Sequence, residues 1–197
     1  ASSAAETAMV RWAKNLVATA EKWEALSGLR GLGLATPGGC SEIWKNILYY
    51  DEHTWGSAVS ISDPNNPQST GQWTRKAAFA LKALDGGHAA ERDTGLAAFR
   101  KLAEISTEES SSRVTVSNPL SWERDVPVLL PADRTGDTVM DKASGKTVSA
   151  QRASDGSLFF IAEKVPAMGW RVFEVTSAGN DPGASLLTAG ADPYTWT

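Results

Sequence analysis

The chain has 197 residues, and its 42% apolar content is enough for the core of one ordinary domain or two small ones. A net charge of −4, with acids and bases scattered along the chain, predicts no nucleic acid and no membrane surface among its partners. We expect neither a transmembrane span nor a signal peptide, because no apolar run reaches 18 residues and the first residues are small and polar. A single cysteine, Cys40, excludes an intrachain disulfide framework. The compartment stays unknown, and a homo-oligomer stays an open alternative.

The first segment has the periodicity of a helix that ends near Gly28. One apolar stripe advances by three or four residues at a time, through Met9, Trp12, Leu16, Thr19, Trp23 and Leu26. The glycines that follow do not come directly after a strand, so a plain loop is favoured over a phosphate-binding loop.

A second amphipathic helix begins at Ser41 and ends in the acidic stretch LYYDEHTWGS. Asp51 and Glu52 continue two rows of apolar residues spaced four apart, Ile43 with Ile47 and Trp44 with Leu48. Carboxylates there extend the apolar stripe and oppose the helix dipole at about 0.3 to 1 kcal/mol each. Such violations of local rules are expected at functional sites. The alternatives are a frayed, solvated helix end, or pairing with a basic residue from another helix.

His53 lies on a neighbouring row, within reach of the same helix end. Asp, Glu and His together can form part of a metal or sugar site, but three groups in one helical turn rarely complete a metal cage. Any site at this helix end is therefore expected to be half a site.

A third helical pattern runs from about Thr70 to Ser106, with Gly86 and Gly87 at its centre. Two glycines cost a helix about 2 kcal/mol relative to alanines, which leaves either one weakened helix or two helices with a turn. We favour one long helix, because the stripe resumes without a cap or a proline. His88, beside the glycines, is interpreted as a solvated helix residue.

From Val114 onwards the chain consists of short β-rich runs separated by turn sequences, which is typical of an antiparallel unit. The predicted fold is therefore α+β in two parts, an N-terminal three-helix bundle followed by a small antiparallel β-sandwich-like unit. We place the bundle at residues 1–108, the β unit at 113–178 and a loosely ordered tail at 179–197. Trp122, at the start of the β unit, is expected to be buried at the junction or in the β core.

The eight tryptophans are an unusual feature of the composition. An indole can fill a core or stack on a sugar, and we expect most of these residues to lie in the core.

Four stretches, IWKNILYYDEHTWGS, QWTRKAAFALKAL, VSNPLSWERDVPVLLP and VPAMGWRVFEV, occur in this order. Together they resemble the middle and early C-terminal parts of glycoside hydrolase family 38, the α-mannosidase-type enzymes. The resemblance covers nearly the whole chain, roughly residues 5–175. It implies a retaining, zinc-dependent hydrolase whose N-terminal α/β barrel carries the aspartate nucleophile and precedes a three-helix bundle and β-sandwich domains. No barrel pattern occurs in these residues, so the resemblance implies a fragment that lacks the barrel, which is expected as its partner together with carbohydrate.

The resemblance also assigns site residues. In the family the bundle supplies a segment HHDAITG, whose second histidine binds zinc and whose aspartate touches sugar hydroxyls. Matching its glycine to Gly56 places Asp51 at the metal position and Glu52 at the sugar position; a one-turn adjustment makes His53 the metal ligand instead. Glu52 and Trp55 are the expected substrate contacts, and no catalytic residue is expected in this chain. Zinc is expected in the full enzyme, and none on this chain alone.

Two functions therefore remain. The first is the non-barrel portion of a retaining α-mannosidase-like hydrolase, inactive in isolation. The second is a noncatalytic carbohydrate-binding or scaffold module, whose tryptophans face a sugar or a partner.

Overall fold

In the computed structural model the chain folds as two compact units, Ala1–Ile105 and Ser106–Thr197. The structure describes residues 3–32, 39–52, 57, 59–105 and 112–177. Helices occupy the first unit and two antiparallel sheets the second, so the predicted two-part α+β fold is confirmed. Residues 106–111, which connect the two units, and the tail predicted at 179–197 lie outside the described residues.

The first unit is built from α1 (Ala4–Leu29), α2 (Ser41–Asp51) and α3 (Pro67–Ala89), which continues into α4 (Leu96–Leu102). Small and branched side chains fill its core, namely Val10, Ala13, Val17, Ala20, Ile47, Ala80 and Ala83. The buried face of α1 includes Leu16 and Trp23 of the expected stripe, but Trp12 is exposed, and Val10 and Ala13 are buried instead. Alanines allow α1 and α3 to approach closely, and a bulkier stripe would keep them apart.

The expectation of one long third helix is confirmed, because α3 passes into α4 through a π-helical segment, Ala90–Gly95, without leaving helical backbone angles. Its start is fixed by Asn66, whose side chain accepts the N–H of Gln68 at 2.8 Å. Gly87 is a packing residue, since a Cβ at that position would lie 3.3 Å from the Cα of Ala13. His88 is exposed, as expected, with its ring centroid 6.1 Å from that of Trp12.

The second unit has seven strands in two antiparallel sheets. The strands are β1 (Arg113–Asn118), β2 (Arg124–Leu130), β3 (Thr138–Asp141), β4 (Thr147–Val148), β5 (Ala150–Arg152), β6 (Leu158–Val165) and β7 (Gly169–Thr176). One sheet has the order β1-β7-β3-β4 and the other β2-β6-β5. Alternating residues of both sheets form one core, in which the rings of Phe160 and Phe173 lie 5.1 Å apart.

Within the described ranges, the helices that are long enough to cross a membrane lack a sufficiently apolar stretch.

The tryptophans do not follow the core expectation. Trp23 is buried, but Trp12, Trp73 and Trp122 are exposed. Trp44 and Trp170 are half-buried, and the other two lie outside the described residues. The expectation is therefore wrong for Trp12, Trp73 and Trp122. Trp12 lies next to Ala13 on α1, where the close approach of Gly87 on α3 leaves little room for an indole ring.

Candidate functional site

The acidic end of α2 is neutralised by two lysines from two other helices. The Asp51 carboxylate lies 2.5 Å from the Nζ of Lys14 on α1, and Glu52 forms an ion pair with Lys76 on α3. The two acidic side chains are 37% and 38% exposed. The acids are therefore half-exposed groups that pair with bases from other helices, as one of the alternatives predicted.

Lys76 also stabilises the end of α2 directly. Its ammonium donates to the backbone carbonyls of Tyr49 at 2.9 Å and Tyr50 at 3.2 Å. These carbonyls are among the last four of the helix, which have no partner within it. A cation at this position also opposes the negative end of the helix dipole. The side chain is only 12% exposed, so its ammonium is held between Glu52 and the end of α2.

A cleft of about 240 Å³ opens beside these groups, between the first half of α1 and the end of α2. Thr7, Arg11 and Lys14 follow one face of α1, at helical spacings of four and three, and form one wall. The opposite wall consists of Tyr50, Asp51 and Glu52.

Two contacts join the two walls of the cleft. The hydroxyls of Thr7 and Tyr50 lie 2.8 Å apart, and the Tyr50 hydroxyl also reaches the carbonyl of Ser3 at 3.2 Å. The Lys14–Asp51 ion pair is the second contact between the walls.

The two carboxylates are turned toward different neighbours, Asp51 toward α1 and Glu52 toward α3. They therefore do not form a facing pair that could hold one reacting group between them. What the arrangement offers is a set of fixed hydrogen-bonding and charged groups around an open cleft.

Two of the predicted site residues, His53 and Trp55, lie outside the described residues. Among those that are described, no group of three or more His, Cys, Asp or Glu side chains is placed to hold a metal. The carboxylate of the metal candidate Asp51 lies 2.5 Å from the ammonium of Lys14, and a zinc ion would have to displace this cation. The described donors do not fit a zinc site by themselves.

In the second unit, a buried asparagine joins two of the four stretches on which the resemblance was based. Asn118, in SNPLSWER, is completely buried. Its amide donates to the carbonyls of Trp122 (2.7 Å), Val165 (3.1 Å) and Pro166 (3.1 Å), and its oxygen accepts the N–H of Leu120 (3.1 Å). The turn between β1 and β2 is thereby tied to the VPAMGWR turn between β6 and β7. Trp122 itself is 58% exposed, so its expected burial is wrong; Asn118 is the buried residue of this turn.

A second polar cleft, of about 280 Å³, lies beside the Asp141–Arg171 ion pair. Asp141 is nearly buried, which alone would raise its pKa, but hydrogen bonds from Ser144 and Ala143 and the charge of Arg171 outweigh burial and lower the pKa. Arg171 also donates to the carbonyl of Glu163 on β6 at 2.9 Å. Asp141 already accepts hydrogen bonds from three donors, and Arg171 bonds to both Asp141 and β6. The cluster is therefore explained as a structural connection between the β3–β4 turn and the other sheet.

Comparison of this chain with models of protein families and with curated proteins yields no match.

Proposed function

We propose that the chain is the non-barrel portion of a retaining α-mannosidase-like glycoside hydrolase, and that a barrel domain outside these 197 residues completes its active site. The observation that carries the proposal is the pair of half-exposed, lysine-bound carboxylates at the edge of an open cleft at the end of α2. The resemblance to glycoside hydrolase family 38 implies a sugar contact at Glu52 and a metal ligand at Asp51 or, alternatively, at His53.

The carboxylates have properties that suit contact with sugar hydroxyls. Each is held at a fixed place by a lysine, and each keeps more than a third of its side-chain surface open to a ligand. A carboxylate that already has one cationic partner can accept further hydroxyl donors without a large change in solvation.

The same geometry argues that the isolated chain is inactive. A retaining glycosidase needs a nucleophile and an acid/base carboxylate about 5 to 5.5 Å apart on opposite sides of the glycosidic bond. Asp51 and Glu52 are turned toward different helices, so they do not flank one bond. The nucleophile must therefore come from another domain, and we expect no turnover of an aryl α-mannoside by this chain alone.

The test uses the longest reading frame that contains this chain. We expect its product to hydrolyse an aryl α-mannoside with retention of configuration. Asp51→Asn and Glu52→Gln should each lower kcat/KM at least about tenfold, the effect of one lost charge-assisted hydrogen bond. Glu42→Gln is the matched control, because Glu42 lies at the start of α2 and is 80% exposed, and its one side-chain partner among the described residues is the nearby Lys45. Absence of hydrolysis, or full activity in both site variants, contradicts the proposal.

The second candidate is a noncatalytic carbohydrate-binding module, which the exposed indoles of Trp12 (60%) and Trp122 (58%) favour. In that case the isolated chain binds saccharides, and the binding weakens in Trp12→Ala or Trp122→Ala while Asp51→Asn leaves it unchanged. Titrations of the three variants distinguish this function from the first.

A further inference from the structure

The cleft at the end of α2 is lined by one cation that has no ion-pair partner within the described part of the chain. Among the described residues, four charged ones line it, and two of these, Lys14 and Asp51, pair with each other. A third, Glu52, pairs with Lys76 on α3. The fourth, Arg11, makes no ion pair or hydrogen bond within the described part of the chain.

Arg11 lies over the cleft because of its place on α1. It is one helical turn from Thr7, which contacts Tyr50, and one turn from Lys14, which pairs with Asp51. These two bridges hold α1 against α2 on either side of the arginine. The guanidinium therefore borders the open space between the bridges, on the wall opposite the end of α2.

The charges around the cleft do not balance. Arg11, Lys14 and Lys76 are three cations, whereas Asp51 and Glu52 are two carboxylates. The two lysines satisfy the two carboxylates, so one positive charge remains on the residue whose planar fork of N–H donors matches an oxyanion. The hydroxyls of Thr7 and Tyr50 line the same cleft, beside the arginine.

We propose that this cleft binds an acidic saccharide, and that Arg11 pairs with an oxyanion that the sugar carries, either a carboxylate or a phosphate ester. The inference rests on the proposed function for the sugar part of the ligand, and it adds the anionic substituent. Asp51, Glu52 and the hydroxyls then contact the sugar hydroxyls, while Arg11 selects the charged group.

The experiment is a titration of the ¹⁵N-labelled 197-residue chain, followed through the amide signals of residues 7–14 and 50–52. The probes are mannose, mannuronate, mannose 6-phosphate and inorganic phosphate. We expect at least one acidic sugar to bind about ten- to a hundredfold more tightly than both mannose and inorganic phosphate, as expected for a charge-assisted pair. Comparison of mannuronate with mannose 6-phosphate identifies which oxyanion the site takes.

The variants separate Arg11 from general electrostatics. Arg11→Gln should reduce the affinity for the acidic sugar to that for mannose, and Arg11→Lys should keep part of the difference. Arg75→Gln is the matched control, because Arg75 is an exposed arginine on α3 that does not line the cleft. Neither Arg11 nor Arg75 makes a described hydrogen bond or ion pair, so the three variants are expected to fold.

Equal affinities for mannose and both acidic sugars overturn the proposal, as does an acidic-sugar affinity that Arg11→Gln leaves unchanged. Inorganic phosphate binding as tightly as the preferred acidic sugar overturns it too, because the sugar then contributes nothing. The two proposals are tested separately. The glycosidase proposal is tested by hydrolysis with the longer protein, and the acidic-saccharide proposal is tested by binding to the 197-residue chain.

Discussion

Replacement of Asn118 by alanine tests whether this residue is the structural centre of the second unit. The side chain is completely buried and makes four hydrogen bonds, three to carbonyls and one from an N–H. Each such bond contributes about 1 kcal/mol net, and a buried group left unsatisfied adds a penalty. We therefore expect Asn118→Ala to lower the free energy of unfolding of this unit by about 3 to 4 kcal/mol, a large share of a typical domain's total.

The assay is urea denaturation followed by amide NMR signals, which report the two units separately. Asn118→Asp should be at least as damaging, since its second oxygen would face three carbonyls in place of a donor. Asn46→Ala is the matched control, because Asn46 lies on α2 and its amide makes one exposed hydrogen bond, to the carbonyl of Glu42. A loss below about 1 kcal/mol in Asn118→Ala would show that other contacts hold the two turns together.

Three further predictions use the same assay. Gly95→Ala should lower the free energy of unfolding by about 1 to 3 kcal/mol, because the new Cβ would lie 2.9 Å from the Cα of Ala20 on α1. Gly71→Ala, whose new Cβ would have nothing within 4 Å, should raise it by about 0.5 to 1 kcal/mol. Equal effects of the two changes would contradict the packing argument. Lys76→Met should lower the free energy of unfolding by about 2 kcal/mol, because it removes two hydrogen bonds to backbone carbonyls and one ion pair. Glu52→Gln should change it by less than about 1 kcal/mol. A larger loss in Glu52→Gln than in Lys76→Met would contradict the role given to the lysine. Asp141→Asn should cost about 3 kcal/mol at neutral pH. The folded-state pKa of this carboxyl is lowered, so its contribution to stability is present above about pH 4 and is lost as the pH falls further. The difference in unfolding free energy between Asp141→Asn and the original chain should therefore shrink in acid. A difference that stays constant with pH would contradict a stabilising role of the ionised carboxylate.

The positions of the elements were predictable because they depend on local patterns. Ala-rich flanks carried the third helix across Gly86 and Gly87, and turn sequences separated the short strands. The face that α1 buries was not predictable in the same way, since Trp12 and Val10 both fit an apolar stripe. What decides between them is the close approach of another helix at Ala13 and Gly87, and this is a tertiary contact.

The candidate site shows the same division. The acidic pair was visible in the sequence as a violation of helix rules, and its location at the end of α2 is as expected. The lysines that neutralise it were not visible, because they come from helices distant in the chain. For Asn118 a local signal existed: an Asn-Pro pair favours a turn, and a turn asparagine can bond to nearby backbone groups.

The weakness of half-exposed ion pairs links the proposed function to the further inference. In this chain the Lys14–Asp51 pair is solvated enough to contribute about 1 kcal/mol or less. A domain that covered the cleft would remove water from these charges, so their mutual attraction would grow, while any unpaired charge beside them would become costly. Arg11 is such a charge among the described residues. Closure of the cleft therefore favours a ligand or a domain that brings an anion to this arginine, and affinity for an acidic saccharide should be higher in the longer protein than in the 197-residue chain.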